Sequence, residues 1–342
     1  MKTKIQDMTS GSPGRLIILF AIPLMLGNIC QQLYTMVDTM VVGQIAGVEA
    51  LAALGAVDFL MWVVTGISTG LTQGFSIQLS QYYGAKDFEN LRKSLAHSYR
   101  LTAFIAVGVF ILSQSFAALV LTGLHTPSNI IGMSLLYLRI IFCGIPATAA
   151  YNMFAAALRA MGNSKTPLTA MIIASVLNIS LDILFVAGFG WGVAGAAIAT
   201  VIAQSFSAVY CFLILRRIDI VHLSRADFMS AAGMNARLMK LGIPVVFQNI
   251  IIGVGGLVVQ YVINGYGFLF VAGFTATNKL YGLLEMAAIS YGYAIVTYVG
   301  QNLGAGKIDR IRKGVRSSML LSLLTSLIIS IAMFLFGKNI LS

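Results

Sequence analysis

Residues 20–29, FAIPLMLGNI, return at 241–250 as LGIPVVFQNI, with Pro23 on Pro244 and Asn28 on Asn249 at an offset of 221. The match resumes downstream, where SQYYGAKDFENLRKS at 80–94 pairs with GQNLGAGKIDRIRKG at 300–314. There the offset is 220, and Gln81 falls on Gln301, Gly84 on Gly304 and Arg92–Lys93 on Arg312–Lys313. Such self-similarity describes a fold built from two copies of one unit. What kind of unit depends on the residues between the matched segments.

Those residues are overwhelmingly apolar. The 342-residue chain is 58% hydrophobic and only 10% charged, whereas soluble domains carry about 25% charged residues; its mean hydropathy is +0.89. A membrane-crossing helix needs about 20 apolar residues. The sequence predicts nine such spans, near 15–45, 51–82, 93–122, 128–158, 166–188, 192–215, 239–264, 269–302 and 313–337. The fold class expected is therefore all-α, a polytopic membrane helix bundle.

A net charge of +11 is common among nucleic-acid binders, but its placement here argues otherwise. Of the 22 lysines and arginines, 19 fall in the N-terminal tail and alternate loops. That is the distribution that holds basic loops in the cytoplasm, so a multi-pass protein of the cell membrane with a cytoplasmic N-terminus is expected. The basic groups then meet lipid headgroups, and no nucleic-acid partner is implied. Cys30, Cys143 and Cys211 lie in predicted spans without C-x-x-C spacing and read as packing residues. The three histidines are too scattered for a metal site, no cofactor motif occurs, and no nucleophile–base pairing suggests an enzyme.

Six spans precede the second copy, and an even number preserves orientation, so the copies are parallel repeats about an axis along the membrane normal. This predicts a six-helix N-lobe at 1–215, a cytoplasmic linker at 216–238 lying partly at the interface, and a C-lobe at 239–342. Ser342 maps back to Thr122, the end of the third span, so the sequence reads as a fragment that lacks the last three helices of copy two and does not pump alone.

Within the spans, Asp38, Asp58, Asp182 and Glu285 require explanation, because intramembrane acids usually face a bundle interior and mark ion or substrate paths. Met171, Ser175, Asn178 and Asp182 recur at steps of 4, 3 and 4, so they share one helix face; Gln31, Tyr34 and Asp38 share another. Two polar stripes on different helices are expected to line one cavity. Asp58, near the start of its span, equally suits a carboxylate reaching headgroup water. On the sixth span, Gly192, Ala196 and Thr200, with Gly195, Ala199 and Ala203, form small-residue rows that permit close helix approach; the Thr200 hydroxyl then either meets the carboxylates or, as is commoner, bonds its own helix carbonyl.

The elements VDTMVVG at 37–43, YYGAKD at 82–87, LRAMGNSKTPL at 158–168, LNISLD with GVAGAAIAT across 177–200, and QNLGAGKIDRIRKG at 301–314 resemble those of the multidrug and toxic compound extrusion (MATE) transporters. The resemblance covers essentially the whole chain. It implies a two-lobed, twelve-helix antiporter that exports organic cations and amphipathic drugs in exchange for H⁺ or Na⁺, with no other cofactor. Carried over by motif, the cation-coupling site falls on Asp38, Asn178, Asp182 and Thr200, with Na⁺ possible at Asp38 and Asp182. Gln31, Tyr34, Asn152, Met171 and Ser175 fall in the substrate cavity. Some members carry an acid on the seventh helix; GIPVVFQNIIIGVGG at 242–256 has none, which leaves Glu285 as the C-lobe candidate.

The partners expected are small drug-like molecules and membrane lipid; oligomeric state is open. Two alternatives remain at this stage. A lipid-linked oligosaccharide flippase of related architecture would line its cavity with basic residues, whereas Arg139 and Lys279 are the few within spans. A channel would show flux without saturation.

Overall fold

The computed structural model describes residues 5–123, 126–229, 231–264 and 268–341. The chain is all-α. Its helices are α1 (Pro13–Ile45), α2 (Val48–Gly84), α3 (Phe88–Gly123), α4 (Ile131–Cys143), α5 (Ile145–Ala160), α6 (Lys165–Asp182), α7 (Gly192–Leu215), α8 (Met234–Asn264), α9 (Phe268–Gly304) and α10 (Ile308–Leu341). A π-helical turn, Ile183–Gly188, extends α6. No strand occurs among the described residues.

Among the described residues, seven helices are long and apolar enough to cross a membrane, and α4 with α5 make an eighth. The ninth expected span coincides with α9, although the side chains of 268–281, Asn278 and Lys279 among them, lie outside the described residues. Leu119, Val176, Ile328 and Phe334 point outward because apolar side chains cover these helices all round. Such helices suit a lipid exterior, where every backbone polar group is satisfied within its own helix.

The fourth span, 128–158, differs from its expected continuous form. It bends by 46° between α4 and α5. Pro146 opens α5 and cannot donate to the preceding turn. Gly144 sits at the joint, where a Cβ would lie 2.7 Å from Val201 Cγ2, so the bend lets the chain pass close to α7.

The two sequence copies meet along α2. Gly66, Gly70 and Gly74 form a row at spacing 4 that faces α8: an added Cβ on Gly70 would lie 2.9 Å from the Val246 backbone, and one on Gly74 would overlap Gly242. Lower on the same helix the contact becomes reciprocal. A Cβ on Gly84 would strike the Gln301 carbonyl, and one on its repeat counterpart Gly304 would strike the Gln81 carbonyl. Asn28 Nδ2 donates to Ser290 Oγ at 3.2 Å, while its counterpart Asn249 donates to the Gly66 carbonyl at 3.1 Å. Equivalent asparagines therefore reach equivalent helices, α9 and α2, one turn apart in register, and the glycine pair at 84 and 304 is fully reciprocal. Lys86 and Gly306, equivalent positions after α2 and α9, both adopt positive φ, 58° and 69°.

The connection between the copies is largely exposed but anchors a few apolar side chains on copy one. It folds into two short 3₁₀ turns, Asp219–Val221 and Arg225–Phe228. Ile218, Val221, Met234 and Leu238 are buried in a cluster with Leu91 and Leu95 of α3.

Candidate functional site

The polar stripe of α6 does face inward. Asn178 and Asp182 are each 0% exposed, and Met171 and Ser175 are buried on the same side. Small residues of α7 make this possible: Ala196, Ala197 and Ala199 are fully buried, and a Cβ on Gly195 would lie 3.0 Å from Phe185 Cβ. Asn178 Nδ2 donates to Thr200 Oγ1 at 3.5 Å across that seam. Ser175 Oγ donates to its own helix at Met171 O, 2.8 Å, and lies 3.4 Å from the Cys30 carbonyl of α1.

From α1, Asp38 is buried and lies within range of the charge of Asp182. Tyr34, one turn earlier, accepts at Oη from Gln204 Nε2 of α7 at 3.5 Å. Gln31 is exposed one turn further on. The α1, α6 and α7 groups therefore converge as the spacing predicted.

Their acceptors greatly outnumber their donors. Both oxygens of Asp182, Oδ1 of Asp38, Oδ1 of Asn178 and Oε1 of Gln204 are buried without a hydrogen-bond partner among the described residues. Leaving one ionised carboxylate so placed costs several kcal/mol, on the order of a whole domain's marginal stability. Carboxylate, amide and hydroxyl oxygens are the donor set of a hard monovalent cation, and a shared proton answers the same imbalance. No group of three or more His, Cys, Asp or Glu side chains converges as a multivalent metal site among the described residues.

Several participants are not evident from sequence spacing. Tyr137 of α4 is 5% exposed and within range of Asp38, Asp58, Asp182 and Tyr34. Asp58, exposed on α2, is within range of Asp38 and so forms the rim of the acidic cluster. Beyond Asp182 the π turn carries Phe185 onto Trp191, ring centroids 5.1 Å apart, and Phe189 packs on Trp191 at 5.2 Å.

Two expected cavity residues lie on other helices. Asn152 of α5 donates to Thr69 Oγ1 of α2 at 3.3 Å. Glu285 is exposed on α9. A separate cavity of about 320 Å³ between α3, α5 and α7, lined by residues such as Thr102, Met153 and Phe154, does not reach the carboxylates.

A polytopic bundle of two parallel repeats, with carboxylates buried within its apolar helices, defines a membrane transporter. The MatE family profile matches residues 23–184 and 244–342. The chain belongs to that family, the multidrug and toxic compound extrusion transporters. It is 32% identical over 308 residues to the probable multidrug resistance protein YpnP of Bacillus subtilis, covering 90% of this chain and 69% of that protein. Over 345 residues it is 29% identical to YoeA of the same organism, also a probable multidrug resistance protein, with 98% and 74% covered. The fold is similar to that of a multidrug resistance MATE transporter solved in an outward-facing conformation, with a TM-score of 0.92 at 22% identity, over 99% of this chain and 76% of that one.

Proposed function

We propose that the protein is a secondary antiporter of the cell membrane that exports organic cations and amphipathic drugs in exchange for H⁺ or Na⁺. The observation that carries this reading is the set of buried, unpartnered oxygens on Asp38, Asn178 and Asp182. A coupling ion entering that set neutralises it, and its departure restores the imbalance. Thr200 fixes the Asn178 amide, and Tyr34 with Gln204 borders the site on the α1 side. Gln31, Met171 and Ser175 extend the surface toward a drug; Asn152 and Glu285 contribute from other helices.

The lobes are residues 1–215 and 239–342, joined by 216–238, with the N-terminus and basic loops cytoplasmic. The contacts between copies run from Gly66 and Gly70 of α2 down to the basic-loop ends, where backbones meet at Gly74 and Gly84 of α2, Gly242 of α8 and Gly304 of α9. This arrangement is closed toward the cytoplasm. Alternating access then exchanges these contacts for a seal on the other side, biased by whether the carboxylate site is neutralised.

Energetics limits the exchange. Exporting against a hundredfold gradient costs about 2.7 kcal/mol, and one charge moving through 100 mV supplies about 2.3 kcal/mol. Swapping one H⁺ for one monovalent drug cation moves no net charge, so the ion gradient alone drives it. The test is efflux of a fluorescent cation from proteoliposomes with pH and Na⁺ gradients imposed separately. Saturable efflux driven by one gradient supports the reading. Flux that ignores both gradients and never saturates means a channel.

A further inference from the structure

Residues 5–10 precede α1 yet dock on the helix bundle. Met8 is 0% exposed, packed among Ile17, Phe20, Ala294 and Tyr298. Its N–H donates to Gln301 Oε1 at 3.0 Å, and its carbonyl accepts from Asn302 Nδ2 at 2.9 Å. Lys307 Nζ donates to the Thr9 carbonyl at 2.9 Å. All three partners belong to copy two, at the corner between α9 and α10. The same segment also grips copy one: Gln6 N–H donates to the Gly162 carbonyl at 3.1 Å. Gly162 has φ 91°, and a Cβ there would strike the Gln6 carbonyl. Gln301 completes the bridge, because its Nε2 donates to the Ala160 carbonyl of α5 at 2.8 Å.

The second copy has a matching device. DMTS at 7–10 corresponds to DFMS at 227–230, just before α8. This segment docks on copy one. Asp227 Oδ1 lies 3.8 Å from Arg92 Nε, and the Met229 carbonyl lies 3.1 Å from His97 Nε2. Met234 Sδ accepts from Gln78 Nε2 at 3.1 Å. Each copy thus begins with a strap that crosses to the second and third helices of the other. Both straps lie at the basic-loop ends, beside the glycine contacts that close this side. A strap anchored to both copies resists their separation, whereas one anchored to a single copy would ride with it.

We propose that Gln301 is a positioning residue of the transport cycle: its amide pins residues 5–10 across both copies, and that bridge breaks when the basic-loop side opens. The proposal rests on the alternating-access reading above. Gln301 is suited to this because one side chain supplies both an acceptor for the strap and a donor for the opposite copy, so a small rotation of α9 loses both bonds together.

The experiment uses spin labels at two equivalent exposed positions, Glu89→Cys and Asp309→Cys, with Cys30, Cys143 and Cys211 replaced by alanine. Pulsed EPR in lipid nanodiscs reads the ratio of open to closed distances on this side, with and without an organic cation. Gln301→Ala removes both bonds and is expected to raise the open ratio about tenfold. Gln301→Glu keeps the acceptor for Met8 and falls between. Met8→Pro deletes the strap N–H with Gln301 intact; measured against Met8→Ala, which loses the same buried side chain but keeps the N–H, it is expected to raise the ratio about fivefold. The double variant Gln301→Ala/Met8→Pro should then match Gln301→Ala/Met8→Ala, since the one bond that the proline deletes is already lost with Gln301. A drug-dependent open distance that neither variant enriches overturns the role of Gln301 and leaves alternating access standing. Fully additive effects in the double variant overturn it too. One distance in every variant and condition overturns this proposal together with alternating access.

Discussion

Replacing Asp182 with Asn keeps the shape of the side chain and removes its charge. Both Asp182 oxygens lack hydrogen-bond partners among the described residues, so the substitution breaks no hydrogen bond there, and the change isolates the carboxylate's attraction for a cation. At about 4 Å and an effective dielectric of about 20, that attraction is about 4 kcal/mol, or close to a thousandfold in affinity. Binding to the folded state alone stabilises it by about 2.7 kcal/mol at a hundredfold excess over Kd. At the same sodium concentration the variant would sit near a tenth of its own Kd and retain less than about 0.1 kcal/mol. The assay is thermal unfolding of purified protein at alkaline pH, titrating NaCl against choline chloride at constant ionic strength. Wild-type protein should shift upward by several degrees and Asp182→Asn should not. A variant that keeps the whole sodium-dependent shift would refute the assignment of Asp182. If wild type itself ignores sodium, the coupling ion is the proton, and proton release on adding an organic cation in weak buffer becomes the readout, again lost in Asp182→Asn.

Asn178→Ala removes one amide and leaves both carboxylates, so the same titration should show about tenfold weaker binding; Asp58→Asn, at the exposed rim, should change it less than either. Gly74→Val places a side chain on Gly242 and should destabilise by about 1–3 kcal/mol through overpacking; Gly108→Val, which meets nothing within 4 Å, is the control, and equal melting temperatures for the two would contradict the glycine seam. Lys86→Gly should raise stability by about 1 kcal/mol, since a left-handed backbone favours glycine at φ 58°, and a lower melting temperature would count against it. Burial pushes the Asp7 carboxyl up, but the Thr9 N–H, the Thr9 and Ser10 hydroxyls and the Lys307 charge together hold it below the model-compound value of 3.8. Its contribution to strap docking is therefore complete above that value and lost as pH falls through the lower folded-state one; hydrogen exchange of residues 5–10 should accelerate only in that acid range.

The amino-acid sequence by itself determined the class, the repeat and the polar stripes. Twenty-residue apolar runs have one stable answer in lipid, and an offset of 220–221 carries its own symmetry. A helix period is local, so the face shared by Met171, Ser175, Asn178 and Asp182 follows from their spacing alone. Which helices those faces meet is not local. Tyr137 lies on a helix without a single acidic residue, and only the packing of α4 against α2, α3 and α7 brings it within range of Asp38 and Asp182. Glu285 and Asn152 had the right chemistry for the cavity, yet the first is exposed on α9 and the second is committed to Thr69. The crossing of the straps was likewise invisible in sequence, although DMTS and DFMS were both in view. A strap's docking partner depends on how close two helix ends approach, and here that distance is set by glycines on α2, α8 and α9, where backbones touch because no side chain stands between them.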